Sequence, residues 1–100
     1  MNMQQMIMQA QKMQRELKKA KAELAKQEFT VTKGGAVTVV MYGNKLIKSI
    51  SIDEDAFDAD NKDMVEDLLT LALNEVYEQV NEAETALEEK ITGKAGGFGF

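Results

Sequence analysis

Between Phe29 and Asp53 the chain reads FTVTKGGAVTVVMYGNKLIKSISID, and its apolar residues recur there with a period of two. Such alternation lines up every second side chain on one face, so the segment buries an apolar surface most readily as strand. Two glycine-bearing breaks, Lys33-Gly34-Gly35 and Gly43-Asn44, divide it into three pieces of ordinary strand length. The expected product is a three-stranded antiparallel meander.

Gly43-Asn44 suits a two-residue primed turn, which matches the twist of the flanking strands. That turn pairs Tyr42 with Lys45, Met41 with Leu46, Val40 with Ile47, Val39 with Lys48, Thr38 with Ser49 and Val37 with Ile50. One face then carries Val37, Val39, Met41, Leu46, Ile50 and Ile52, with Lys48 as the lone charge among them; the other carries Thr38, Val40, Tyr42, Ile47, Ser49 and Ser51. An inward-pointing lysine on an edge strand is a device against edge-to-edge association; the alternative is that it snorkels to solvent beside the helices. At the earlier break, a three-residue loop over Lys33, Gly34 and Gly35, with a left-handed glycine, brings Phe29 and Val31 onto the first face.

The flanking segments are helical. Residues 2–27 lack glycine and proline and consist largely of strong helix formers. Met3, Met6, Ala10, Met13, Leu17, Ala20 and Leu24 recur at alternating intervals of three and four. This seam is the signature of a helix packed along another helix at a shallow angle, with methionine as adaptable filler. On the outer face Lys12, Arg15, Lys19 and Lys26 follow the same rhythm with Lys18 beside them, and residues 12–26 carry a net charge of +4.

After the meander, six carboxylates crowd residues 53–63, but no EF-hand register fits them, because glycine is missing at the sixth loop position and glutamate at the twelfth. They read instead as a turn and helix start, with Asp60 as N-cap and Asp63 complementing the helix dipole. A second helix is expected over Asn61–Thr92, with Val65, Leu68, Leu69, Ala72, Val76, Val80, Ala83, Leu87 and Ile91 as its stripe. In its first half Leu68, Leu69, Leu71, Ala72, Leu73, Val76 and Tyr77 span too wide an arc for one partner surface. They point to a homodimer interface, which a domain this small needs for adequate burial. Gly93 is the expected C-cap, and 93–100 reads as a flexible glycine-rich tail in which Phe98 and Phe100 are available to dock on a partner.

Helices of about 25 and 30 residues span roughly 38 and 45 Å. A compact 100-residue domain has a radius of gyration of only about 13 Å, so residues 2–12 and 82–92 should project as a two-helix arm. The organisation is therefore a single α+β domain over 1–92, ordered α-β-β-β-α, with a three-stranded meander packed on two long helices.

Function classes narrow through what the composition lacks. There is no cysteine and no histidine among the 100 residues. That removes thiol nucleophiles, imidazole bases and most transition-metal sites, so no catalytic, metal or cofactor-binding residues are assigned and an enzyme is disfavoured. Nor is there a signal peptide, or a run of about twenty apolar residues for a membrane span, which points to the cytoplasm. Charge divides sharply: residues 1–52 hold nine basic and three acidic side chains, whereas 53–92 hold two basic and fourteen acidic. A basic segment inside an acidic chain of net charge −5 makes a local positive surface.

The sequence resembles the YbaB/EbfC family of bacterial nucleoid-associated proteins over nearly its whole length. The resemblance is carried by Gln9-Ala10-Gln11-Lys12-Met13-Gln14; by Gly34-Gly35 with Val37, Val39, Met41, Gly43, Ser49, Ile52 and Asp53; and by Glu66-Asp67-Leu68-Leu69 with Ala72-Leu73-Asn74. It departs at Glu54, where a proline is often found, and in a tail without proline. The resemblance implies the α-β-β-β-α fold, a tight homodimer with helices between two sheets, DNA binding by helical arms, and a place in the nucleoid. The residues themselves support a homodimer contacting duplex phosphates through Lys12, Arg15, Lys18, Lys19 and Lys26, with little sequence specificity and no small-molecule substrate. The alternative is a holdase-type chaperone or interaction module with prefoldin-like helix-hairpin-helix arms.

Overall fold

The computed structural model describes residues 2–95. Helix α1 (Met3–Leu24) leads into strands β1 (Glu28–Lys33), β2 (Val37–Tyr42) and β3 (Ile47–Ile52), then two 3-10 turns at Glu54–Ala56 and Ala59–Asn61, then helix α2 (Lys62–Ala95). The expected α+β order is present, with an antiparallel sheet in the order β1-β2-β3. Asn2 caps α1 by accepting the Gln5 backbone N–H at 2.8 Å. Before α2 the side chain that caps is Asp58, which accepts the Asp60 N–H at 2.9 Å, rather than Asp60 itself. Asp63 does lie in the first turn of α2. Gly93 is not a C-cap: the helix continues through it to Ala95, and the rest of the expected tail lies outside the described residues.

Both hairpins differ from the predicted registers, and in an instructive way. The first loop covers Gly34, Gly35 and Ala36, one residue later than expected, with both glycines left-handed at φ 59° and 64°. Because the shift moves each partner by two residues, Phe29 and Val31 keep the expected face but oppose Met41 and Val39 instead of Val39 and Val37. At the second loop a turn closes from the Lys45 N–H to the Tyr42 carbonyl at 2.9 Å, and Lys45 adopts φ 71°. Three residues thus replace two, and Tyr42 meets Leu46 instead of Lys45. A bulge between Val40 and Met41 adds a further step, so that Met41 faces Ile47, Val39 faces Ile50 and Val37 faces Ile52.

This exchanges the faces of Leu46 and Ile47. It also corrects the reading of Lys48, which does not point inward. The bulge turns it to the side of Glu28, whose carboxylate accepts a hydrogen bond from Lys48 Nζ at 2.8 Å, across the face that looks away from α2.

The core lies where α2 crosses β1 and β2, and at its centre Val37, Val39, Val76 and Val80 are completely buried with Val31, Met41 and Ala72 around them. A helix about 10 Å wide spans two strands at about 4.8 Å spacing but not three. Accordingly β3 lies outside the footprint of α2, and Ile47 and Ile50 each remain 46 % exposed.

The length of α2 sets the shape. Its 34 residues run about 51 Å, against about 20 Å for a six-residue strand, so its C-terminal half leaves the sheet and packs on α1. Extents of 68 × 21 × 14 Å and a radius of gyration of 19.5 Å describe the resulting elongated molecule. The root of the arm is fixed at Gly43, whose N–H donates to the Gln27 carbonyl at 3.0 Å. A Cβ placed there would sit 1.9 Å from the Leu24 carbonyl oxygen.

Two outcomes follow from these glycines. Gly43→Ala should lower stability by about 2–3 kcal/mol, because backbone rather than a movable side chain occupies the space. Gly93→Ala, in a helix with open space around it, should raise stability by about 0.5 kcal/mol. Paired thermal melts check both; a neutral Gly43→Ala contradicts the packing of α1 against the hairpin. For the exposed Lys48, the hydrogen bond to Glu28 and then its charge raise the ammonium pKa above 10.5. The benefit of this pair is therefore complete below pH 10.5 and fades as pH rises through the folded-state pKa. NMR titration of Lys48 should show that elevation disappear in Glu28→Gln.

Candidate nucleic-acid interface

The basic stripe is built by the same periodicity that builds the arm. Ala10, Met13, Leu17 and Ala20 are half-buried and Leu24 is buried, so this seam faces α2. At about 100° per residue, Lys12, Arg15 and Lys19 fall on the opposite side of the helix, with Lys18 at its margin. All four are exposed. Lys26 lies beyond the helix end, in the turn that follows Leu24, so it extends the line of charge without sharing the helical spacing.

Charge pairing separates these groups from most other cations. Lys21 reaches Glu88 at 3.2 Å, Lys45 reaches Glu84 at 3.9 Å, Lys48 reaches Glu28 at 2.8 Å, Lys62 reaches Glu66 at 3.0 Å, and Lys33 pairs with Glu75. Among the described residues, no carboxylate lies within salt-bridge distance of Lys12, Arg15, Lys18, Lys19 or Lys26. Their full charge is presented to solvent. On the other helix Glu78, Glu82 and Glu89 are exposed at helical spacing, so the arm is basic along α1 and acidic along α2. An anionic polymer is attracted to one side and repelled by the other.

The seven residues singled out on α2 divide into two groups. Ala72 and Val76 are completely buried against the sheet and keep no surface for a partner. Leu68, Leu69 and Leu73 are half-buried around that core, while Leu71 and Tyr77 remain 55 % and 47 % exposed. The Lys45 ammonium sits 5.6 Å above the Tyr77 ring, fixing it at the margin of the uncovered β3. Ile47 on that strand belongs with this surface although the sequence placed it on the far face. The signal available was geometric: three strands are wider than one helix.

No helix among the described residues is long and apolar enough to cross a membrane. Nor do the described residues hold a group of three or more His, Cys, Asp or Glu side chains placed for a metal ion.

The chain is 43 % identical over 91 residues to a nucleoid-associated protein of Mycoplasmopsis pulmonis, covering 91 % of this chain and 90 % of the relative. It is 41 % identical over 98 residues to one from Acetivibrio thermocellus, covering 97 % and 87 %, and 39 % identical over 97 residues to one from Saccharopolyspora erythraea, covering 96 % and 84 %. Residues 1–95, which include both helices and the whole sheet, match the YbaB/EbfC DNA-binding family, and the chain belongs to that family.

Proposed function

We propose that this protein is a nucleoid-associated, homodimeric DNA-binding protein that grips duplex phosphates with the outer face of α1. The observation that carries this reading is the row formed by Lys12, Arg15, Lys18 and Lys19: exposed, without carboxylate partners among the described residues, and opposite the seam that packs on α2. Lysine and arginine aimed at phosphates release counterions and supply affinity that is largely independent of sequence. Membership of a DNA-binding family and relatives named as nucleoid-associated proteins support the same partner and a nucleoid location.

The dimer is supported by apolar surface that the protomer leaves uncovered. Ile47 and Ile50 on β3 lack a helix over them, while Leu71 and Tyr77 on α2 lack a sheet. A second copy provides both coverings at once through a two-fold contact. Two arms then act on one duplex.

Exposed apolar side chains at the arm tip, Met3 at 76 %, Met6 at 47 % and Ile7 at 51 %, favour one competing role, a holdase that binds unfolded chains. Ionic strength separates the two, because apolar capture is nearly insensitive to salt.

Light scattering at low micromolar concentration should report twice the chain mass, and Ile50→Asp should shift the protein toward monomer. A stable wild-type monomer removes the two-arm geometry. If each protomer neutralises about three phosphates, log affinity falls with log salt at a slope near −5. Replacing Lys12, Arg15 and Lys19 by Gln should weaken binding equally on unrelated duplexes and flatten the slope by about one unit per lost contact, with the dimer intact. An unchanged slope overturns the assignment of the stripe.

A further inference from the structure

Along the first helix, chemistry changes abruptly at Lys12. Residues 2–11 contain four glutamines and one asparagine and no charged side chain, whereas residues 12–26 contain eight charged side chains. Asn2 is used as the helix cap. The glutamine side chains Gln4, Gln5 and Gln11 are exposed, and among the described residues none has a hydrogen-bond partner.

Met8 is the second anomaly. It is 62 % exposed, and it does not belong to the seam that packs on α2. Instead it continues the basic row, since Met8, Lys12, Arg15 and Lys19 recur at intervals of four, three and four. Around it on the helix surface stand Gln4 and Gln5 one turn before and Gln11 and Lys12 one turn after. An apolar side chain ringed by unengaged amides is thus aligned with the row assigned to phosphate.

This part of α1 also extends past the last described residue of α2. The Lys21–Glu88 pair sets the antiparallel alignment of the two helices. Counting from it, Ala95 lies level with about Gln14, so the described part of α2 ends before the level of Gln11, and Gln4, Gln5, Met8 and Gln11 are all exposed. A single helix, about 10–12 Å across with its side chains, fits the major groove of B-form DNA, which is about 12 Å wide, and not the minor groove of about 6 Å.

We infer that the tip of α1 is a base-reading element, in which Gln4 and Gln11 bond adenine edges and Met8 contacts the thymine methyl group in the major groove. Glutamine presents a donor and an acceptor that match adenine N7 and N6, and the thymine 5-methyl is the apolar feature of that groove. The phosphate row beginning at Lys12 then holds the backbone beside the groove that the tip enters. The inference rests on the DNA-binding reading above and adds to it a preference for A·T pairs.

The test compares equal-length A·T-rich and G·C-rich duplexes at one salt concentration. Wild-type protein should favour the A·T-rich duplex by roughly tenfold, as expected of one good base contact. Replacing thymine by deoxyuridine, or adenine by 7-deazaadenine, alters only the major groove and should abolish most of that preference. The variant Gln4→Ala/Met8→Ala/Gln11→Ala, which keeps helix propensity, should bind both duplexes alike with an unchanged salt slope and unchanged helicity by circular dichroism. Equal affinity of wild type for the two duplexes overturns the inference. So does a preference that survives either base substitution, or one that the variant retains. Failure of the wild-type protein to bind any duplex removes the DNA-binding reading itself, an outcome distinct from indifferent binding.

Discussion

The structure depends on a mismatch of lengths. Helix α2 is about 51 Å long and the strands beneath it about 20 Å, and the contact between them centres on four completely buried valines, Val37, Val39, Val76 and Val80. That contact anchors only part of the helix. What remains leaves the sheet, and an unsupported helix of that length is marginal in water without an apolar partner. Helix α1 is that partner, joined along Ala10, Met13, Leu17, Ala20 and Leu24 and held at its base where Gly43 lies against the Leu24 carbonyl. A body two layers thick therefore carries an arm, and the arm presents α1's outer face to solvent. The same contact leaves β3 uncovered, since one helix is too narrow to shield three strands. Projection of the arm and the uncovered apolar surface of β3 share one geometric origin.

Electrostatics follow from how residues are divided between the two helices. Carboxylates on α2 or the sheet neutralise Lys21, Lys33 and Lys45, all of which approach acidic groups across the fold. Among the described residues no carboxylate of α2 or the sheet pairs with the cations on the far side of α1, where the basic side chains outnumber Glu16 and Glu23, so a positive charge persists there in a protein whose net charge is −5. Overall acidity and a cationic edge coexist because the fold turns α1's outer face away from the acids of α2 and leaves only Glu16 and Glu23 among its basic side chains. On the proposed reading, this is the side from which a nucleic acid approaches. Exposed surface ion pairs stabilise little, so leaving these lysines unpaired costs the fold almost nothing.

The helices were legible from the sequence because their packing is local in period: a seam at intervals of three and four marks both α1's contact face and, by elimination, its outer one. Parity of the strands was legible too, and Phe29, Val31, Val37, Val39 and Met41 stand on the expected face. Register was not, for a specific reason. Lys45 takes φ 71°, a conformation costing a side-chain-bearing residue about 1–2 kcal/mol. It is offset by contacts outside the dipeptide, including the Leu46 N–H bonding Asn44 Oδ1 at 3.0 Å and the Tyr42 N–H bonding the Leu46 carbonyl at 2.8 Å. No propensity at Gly43-Asn44 foretells that extra residue, nor the bulge that turns Lys48 toward Glu28. Gly93 misled in the opposite sense: a stop signal in isolation, it is carried through by the helix around it. In the candidate site, the stripe was readable, while its freedom from carboxylate partners was not, since that depends on where Glu75, Glu84 and Glu88 fall in space.

Lysine footprinting tests the central claim most directly, by acetylating the protein with and without duplex DNA and measuring each site by mass spectrometry. The account predicts strong protection of Lys12, Lys18 and Lys19 and none of Lys33, Lys45 or Lys62, which engage carboxylates elsewhere on the fold. Protection confined to those paired lysines, or equal labelling of Lys12, Lys18 and Lys19 in the free and bound protein, would contradict it.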